Sequence, residues 1–252
     1  MVVPEKTIAN YHYNVRKQID PNSNIHNYMG HDLLVNQSGG GFPAMNFHDS
    51  PMNEVCCEIM GTYNALVLHG EPVDFYKLAA EFEINATSDA PSGDNGWAGS
   101  NPYKIGNCLD AYNVEYTTIN NNLNLNDTIE TIITVDDYSD VDSTNKASCD
   151  EFDKELKNGV CGIISYKYAT DCEGYLPFEL KLPVEAYLAI HTYATVYNSY
   201  SASPISTFNL LCGAEPKEYP IEFSSTYEAL KNYDKYNNLK NIDLYLVGYV
   251  LK

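Results

Sequence analysis

The chain has few basic residues and no long apolar run. Of its 252 residues, 15 are Lys or Arg and 34 are Asp or Glu, which gives a formal net charge of −19 at pH 7. Because such a charge repels phosphate backbones and anionic lipid surfaces, we exclude binding to nucleic acids or membrane surfaces as a main activity. The longest apolar runs are too short to cross a bilayer, so we also expect no membrane span.

Two further absences concern the compartment and cofactors. The first residues, MVVPEKTIANYHYNVRK, are polar where a signal peptide carries its apolar stretch. The seven cysteines are an odd number, with no C-x-x-C pair and no histidine at metal-ligand spacing, so we expect no metal and no other cofactor. A reduced, cytoplasmic protein is the simpler expectation. Secretion stays open, because a signal peptide removed earlier would leave the same sequence.

The remaining composition is that of a globular protein. With 44% hydrophobic and 12% aromatic residues, the chain can bury the core of one large domain. Residues 1–49 show little periodicity and much Asn, Pro and Gly, and we interpret them as an N-terminal arm, with at most one short helix or strand, packed on a domain that spans residues 50–252. In that domain helical patterns precede strand patterns without a βαβ repeat, which predicts an α+β fold.

The clearest helical pattern lies in residues 50–70, SPMNEVCCEIMGTYNALVLHG. Apolar residues recur there at helical spacing and Gly70 is a plausible stop, so the pattern predicts a helix that begins at or near Cys57. A thiol at a helix N-terminus meets free N–H groups and the positive end of the helix dipole, which favour a thiolate and can hold an oxyanion. Cys57 is therefore a candidate nucleophile. The alternative is that Cys56 and Cys57 are small apolar residues in a core helix.

Two more helices have recognisable starts. Asp74 is placed to cap a helix that runs to about Glu83. Ser148 and Glu151 have the spacing of a capping box, which predicts a helix that ends at Gly159. Both helices would contribute to the helical part of the domain.

Strand patterns dominate the second half of the chain. β-Branched and aromatic residues predict strands over 160–166, 189–197, 205–211 and 243–251. The only tryptophan, Trp97, lies in a stretch rich in Gly, Pro and Ser, SDAPSGDNGWAGSNP. Such a loop is either a functional lid or a plain connection.

A cysteine nucleophile needs a base within hydrogen-bond reach and a third group that orients the base. His69 lies at the far end of the same helix, about 18 Å from Cys57, and His48 lies in a loop as a weak alternative. His191 begins a predicted strand 134 residues after Cys57, within the separation of about 130–150 residues that papain-like enzymes show. Asn209 follows on the next strand. The spacing thus permits a Cys57–His191–Asn209 triad.

The segment SPMNEVCCEIMGTYNALVLHG also resembles the nucleophile helix of the C39-like branch of papain-fold cysteine peptidases. The likeness is to bacterial members with a Cys-Glu pair and a Tyr-Asn-Ala-Leu run that ends in Gly. GWAGSNPYKIGNCL resembles their downstream segment, and IHTYATVY with TFNLL resembles their His and Asn/Asp strands, so the resemblance covers most of residues 50–212. It departs from the family at Pro51, where the family has an oxyanion Gln, and at Cys56, where the family has a small residue.

This resemblance implies a papain-like fold with a helical lobe and an antiparallel β lobe, and a cysteine peptidase that acts on a peptide or protein. Cys57 would be the nucleophile, His191 the general base and acid, and Asn209 the orienting residue. Asn53 would be a candidate oxyanion donor and Trp97 a candidate cleft residue. Two alternatives stay open: an inactive binding module of the same fold, and acyl transfer to an amine with the same triad. The oligomeric state is not defined.

Overall fold

The computed structural model describes residues 2–16, 25–34, 46–47, 50–51, 56–86, 100–120, 139–171, 186–208, 220–230 and 245–252. The helices are α1 (Glu5–Val15), α2 (Cys57–His69), α3 (Phe75–Asn85), α4 (Ile105–Ala111, preceded by a 3₁₀ turn at Pro102–Lys104) and α5 (Ser139–Leu156). The strands are β1 (Ile25–Tyr28), β2 (His31–Leu34), β3 (Asn46–Phe47), β4 (Ser50–Pro51), β5 (Tyr116–Asn120), β6 (Cys161–Asp171), β7 (Ala186–Tyr197), β8 (Ile205–Phe208), β9 (Ile221–Phe223) and β10 (Tyr245–Leu251). None of the helices in these ranges is long and apolar enough to cross a bilayer.

Six of the strands form one antiparallel sheet in the order β5-β10-β6-β7-β8-β9. The mixed α+β class predicted from the sequence is therefore confirmed. The central pair is β6 and β7, whose register runs without a break from Gly162 opposite Thr195 to Asp171 opposite Ala186. Because side chains alternate between the faces of a strand, this register decides which residues share a face.

Helices cover both faces of the sheet. On the first, called here the α2 face, Cys161, Ile163 and Ala194 join a core with residues of α2, α3 and α4. On the second, called here the α5 face, the sheet residues pack with Cys149, Phe152 and Leu156 of α5; they are Ile119, Ile164, Tyr166, Tyr193, Ile205 and Val250. Since both faces are buried, β6 carries large buried side chains at the consecutive positions Ile163 and Ile164, and β10 does so at Tyr249 and Val250.

Asparagine side chains tie the N-terminal segments to this core. The side chain of Asn64 on α2 accepts a hydrogen bond from the N–H of Leu34 at 2.8 Å and donates one to the carbonyl of Leu34 at 2.7 Å. The backbone of a neighbouring strand would make the same pair of bonds. Asn14 of α1 makes the same pair of bonds with the backbone of Asn46, at 2.9 and 2.7 Å. Asn10 of α1 donates to the buried carboxylate of Glu83 on α3 at 2.7 Å. The contacts of α1 with the domain are thus largely polar.

Helix α2 begins at Cys57 and ends before Gly70, as the sequence predicts. Gly70 has a φ of +92°. In this conformation the N–H groups of Gly70 and Glu71 reach the carbonyls of Val67 and Leu66 at 3.1 and 2.9 Å. Glycine is favoured here because a Cβ destabilises the left-handed backbone.

Replacing Gly70 by alanine should therefore lower the free energy of unfolding by about 1–2 kcal/mol. Urea unfolding followed by circular dichroism measures this change. Gly70→Asn is the matched control and should cost less than Gly70→Ala, because asparagine tolerates the left-handed region. Equal losses in the two variants would contradict a backbone origin of the effect.

Candidate functional site

Cys57 is the first residue of α2 and lies where that helix meets β7. The two elements lie close together at Gly61, where an added Cβ would lie 2.9 Å from Cγ2 of Thr192 and 3.4 Å from Cα of Tyr193. The backbone of Thr192 also makes a hydrogen bond to the Cys57 thiol. The small residue at Gly61 thus lets the start of α2 rest directly on the strand, with the sulfur against its backbone.

The thiol, a carboxyl group and a hydroxyl form a compact cluster at this point. Cys57 Sγ donates to Oε2 of Glu58 at 3.1 Å, and Oγ of Ser100 donates to the same oxygen at 2.9 Å. The three residues are 7%, 4% and 5% exposed, respectively. Glu58 comes from α2 and Ser100 from the residues just before Pro102–Lys104, so the cluster joins two separate segments of the chain.

The electrostatics of this cluster favour a protonated thiol. Burial raises the pKa of Cys57 well above its ordinary value, and the negative charge of Glu58 raises it further. The backbone hydrogen bond from Thr192 acts in the opposite direction but does not cancel these effects. Burial also raises the pKa of Glu58, although its hydrogen bonds from Cys57 and Ser100 lower it. A thiol at a helix N-terminus is thus held in its less reactive form.

His191 lies on β7, where the sequence predicts a strand, but on the face away from Cys57. It pairs with Tyr166 across the β6–β7 ladder, while its neighbour Thr192 pairs with Ser165. Thr192 and Ser165 bond through their hydroxyls at 2.8 Å, and Thr192 is the residue that α2 contacts. The buried His191 ring instead lies edge-on to the ring of Tyr166, on the α5 face, with centroids 5.9 Å apart.

The structure therefore brings the backbone next to His191 against Cys57, but it directs the imidazole to the opposite face of the sheet. This differs from the arrangement expected for a thiol–imidazole pair, because consecutive residues of a strand point to opposite sides. Asn209, Asn53, Trp97 and His48 lie outside the described residues. Their proposed roles stay predictions.

His69, which the sequence analysis set aside as a base, lies at the end of α2. Its Nε2 contacts the carbonyl of Lys252 at 2.7 Å, and its Nδ1 lies 3.5 Å from Glu71. Both partners belong to the far end of the helix from Cys57. The contact fixes the end of β10 to α2 and has no part in the cluster at the other end of that helix.

Sequence reasoning missed the groups that surround the thiol. In the sequence Glu58 is marked only by the Cys-Glu motif, and a carboxylate beside a cysteine is itself a signal of a raised thiol pKa. Ser100 and Thr192 are distant in sequence from Cys57. Nothing local in the sequence marks them as its neighbours.

Within the described ranges, no group of three or more His, Cys, Asp or Glu residues comes together in a way that could hold a metal ion. Comparison with protein-family models, with curated proteins and with solved structures found no significant match.

Proposed function

We propose that this chain is a papain-like α+β protein that binds a peptide or protein segment without cleaving it, with Cys57 as a structural residue of the binding domain. The observation that carries this proposal is the orientation of the Cys57 thiol, which donates to a buried carboxylate while the imidazole of His191 lies on the other face of the sheet. A peptidase of this type needs the opposite arrangement, a thiolate beside an imidazolium.

The net charge of −19 supports a preference for basic partners. We expect a lysine-rich fluorescent peptide to bind more tightly than a glutamate-rich peptide of the same length, and added salt to weaken this binding. Fluorescence anisotropy measures both effects. Mass spectrometry of the same mixtures should find both peptides intact after prolonged incubation.

The second candidate is amide hydrolysis, or acyl transfer to an amine, by Cys57 with His191 and Asn209. Two observations favour it: Cys57 is the first residue of a 13-residue helix, and a backbone hydrogen bond from Thr192 reaches its thiol. Both features stabilise a thiolate. This candidate requires the imidazole of His191 to face the sulfur.

Alkylation with iodoacetamide at neutral pH separates the two candidates. For the binding protein, Cys57 should react no faster than Cys161, a buried thiol whose pKa burial raises to about 12. Digestion and mass spectrometry report the two cysteines separately. Rapid labelling of Cys57, together with peptide cleavage that Cys57→Ala abolishes, would reject the binding proposal in favour of the hydrolase.

A further inference from the structure

Helix α1 is docked on the domain through polar side chains. Its buried residues are Thr7, Asn10 and Asn14, which are 4%, 8% and 3% exposed and lie on one side of the helix. Among the described residues, α1 adds no side chain to either hydrophobic core. Surface helices of globular proteins are ordinarily held by an apolar side. The docking of α1 therefore lacks the hydrophobic contribution that fixes the other helices of the domain.

A helix docked in this way is easily released. A neutral hydrogen bond contributes about 0.5–1.5 kcal/mol net to stability, and a bond to a charged group about twice that. An isolated helix of 11 residues is marginal in water, and Pro4 at the start of α1 provides no side-chain cap. Release of α1 from the domain is therefore accompanied by its unfolding. It requires less free energy than opening of α2, whose side chains belong to the core.

The surface beneath α1 presents a carboxylate and a strand edge. Asn10 donates to the buried carboxylate of Glu83 at 2.7 Å. Asn46 lies opposite Pro51, which has no N–H, and directs its own N–H and carbonyl to the amide of Asn14. This amide occupies the place that a strand added to β3 would take. Because Asn10 and Asn14 are about one helical turn apart, the carboxylate and the strand edge are separated by about 6 Å along α1.

These groups define the partner that fits the surface. The N–H and carbonyl of Asn46 match the backbone of an extended peptide. The carboxylate of Glu83 bonds an ammonium or guanidinium group more strongly than the neutral amide of Asn10. The flexible four-carbon stem of a lysine spans the short distance between the two groups. The net charge of −19 also attracts a basic segment.

We propose that Glu83 and the backbone of Asn46 form the docking surface for a basic peptide segment, and that α1 occupies this surface when the peptide is absent. The inference rests on the proposed peptide-binding function and assigns it a place on the domain. The peptide backbone pairs with Asn46, a lysine or arginine pairs with Glu83, and α1 is displaced. Since the peptide binds only chains in which α1 is released, the released fraction limits its apparent affinity.

Hydrogen–deuterium exchange of the full chain measures this displacement. In the free protein, the amides of α1 should exchange faster than those of α2. A saturating concentration of the lysine-rich peptide should accelerate exchange in α1 further and leave α2 unchanged, because displaced α1 is unfolded. If the bound peptide slows exchange in α1 or does not alter it, the peptide docks elsewhere and the proposal is wrong.

Variants of α1 test the competition between the helix and the peptide. The double variant Asn10→Ala/Asn14→Ala removes the bonds to Glu83 and Asn46 without changing the net charge. It should bind the lysine-rich peptide at least about tenfold more tightly in fluorescence anisotropy, because more chains have α1 released. His12→Ala, at an exposed residue of the same helix, is the matched control and should not change the affinity. Circular dichroism verifies that each variant is folded. Equal affinities of the double variant and the wild type would overturn the proposal.

The carboxylate is tested in the double-variant background. There, Glu83→Gln should weaken binding of the lysine-rich peptide by roughly tenfold, whereas Glu81→Gln, a partly exposed residue of the same helix, changes the net charge equally and should have a much smaller effect. Equal effects would indicate general charge attraction and reject the docking surface, while the proposed function would stand. If neither the wild type nor the double variant binds the peptide, the proposed function fails and this inference fails with it.

Discussion

Replacing Phe152 by alanine is expected to lower the free energy of unfolding by about 3–5 kcal/mol. Phe152 is fully buried and joins α5 to the sheet. Its ring lies over two glycines, so that a Cβ added to Gly162 would lie 2.6 Å from Cζ, and one added to Gly248 would collide with the ring. Removing the ring leaves a cavity that the sheet backbone cannot fill. Urea unfolding measures the loss.

The glycine beneath the ring provides a matched test of this packing. Gly248→Ala should itself cost about 1–3 kcal/mol, because its methyl group collides with the ring. In the Phe152→Ala background the same substitution should cost much less, since the ring is gone. This double-mutant cycle isolates the contact. Lys154→Ala, at an exposed residue of the same helix, should change stability by less than about 0.5 kcal/mol. Additive losses from Phe152→Ala and Gly248→Ala would contradict the described packing.

The two long helices show when a sequence pattern defines a boundary. Apolar periodicity and Gly70 predict α2 correctly, because both signals are local. The capping box at Ser148 and Glu151 predicts a start for α5 that is wrong, since the helix begins at Ser139. The residues before Ser148 are acidic and polar, and without apolar periodicity they gave no sign of a longer helix.

The position of helix α1 is not predictable for a different physical reason. The sequence indicates at most one short helix or strand somewhere in residues 1–49, and the structure has the 11-residue helix α1 at Glu5–Val15 together with short strands. Periodicity arguments assume that the buried side of a helix is apolar. Here Asn10 and Asn14 form the buried side through hydrogen bonds whose partners, Glu83 and Asn46, are far away in sequence. In the sequence, the polar side of α1 therefore looks like the solvent-exposed side of a helix, because the partners that bury it cannot be identified there.

The candidate site was predictable in position but not in orientation. The sequence indicates that Cys57 begins a helix and that His191 lies in a strand, and the structure has both. Alternate residues of a strand point to opposite faces of the sheet, so a shift of one residue decides whether the imidazole of His191 faces α2 or faces away from it. In AIHTYATVY neither phase is clearly the more apolar, because helices cover both faces of the sheet. The pattern therefore contains no signal that distinguishes His191 from Thr192 as the residue that α2 contacts.

Replacing Glu58 by glutamine is expected to stabilise the protein more at pH 7 than at pH 4. Burial raises the pKa of Glu58 above its ordinary value of 4.5, so the folded protein holds this proton more tightly than the unfolded chain. The stabilising effect of this carboxyl group is complete below pH 4.5. It is lost as the pH rises through the pKa that Glu58 has in the folded protein. Ionisation of this buried carboxyl as the pH rises therefore costs stability, about 1.4 kcal/mol for each unit by which its pKa is raised. Glutamine does not ionise and avoids this loss.

Urea unfolding at both pH values measures the difference, which is the informative quantity because any loss caused by the new amide group is independent of pH. Glu151→Gln, at an exposed position on α5, changes the net charge equally and shows how much of the effect arises from charge alone. The same stability change for Glu58→Gln at pH 4 and pH 7 would contradict a buried, ionisable carboxyl at this position.

The same substitution should accelerate alkylation of Cys57. The negative charge of Glu58 contributes to the raised pKa of the thiol, so a neutral glutamine lowers that pKa and increases the thiolate fraction, about tenfold for each unit. Burial still limits access, so Cys57 should react faster than in the wild type yet remain slow. Cys161, whose thiol donates to the carbonyl of Ala65 at 3.2 Å, serves as the internal control and should react at an unchanged rate. If Cys57 reacts equally in both proteins, the carboxylate does not govern its reactivity. Burial, which is the larger cause of the raised thiol pKa, would then account for the protonated thiol without the carboxylate.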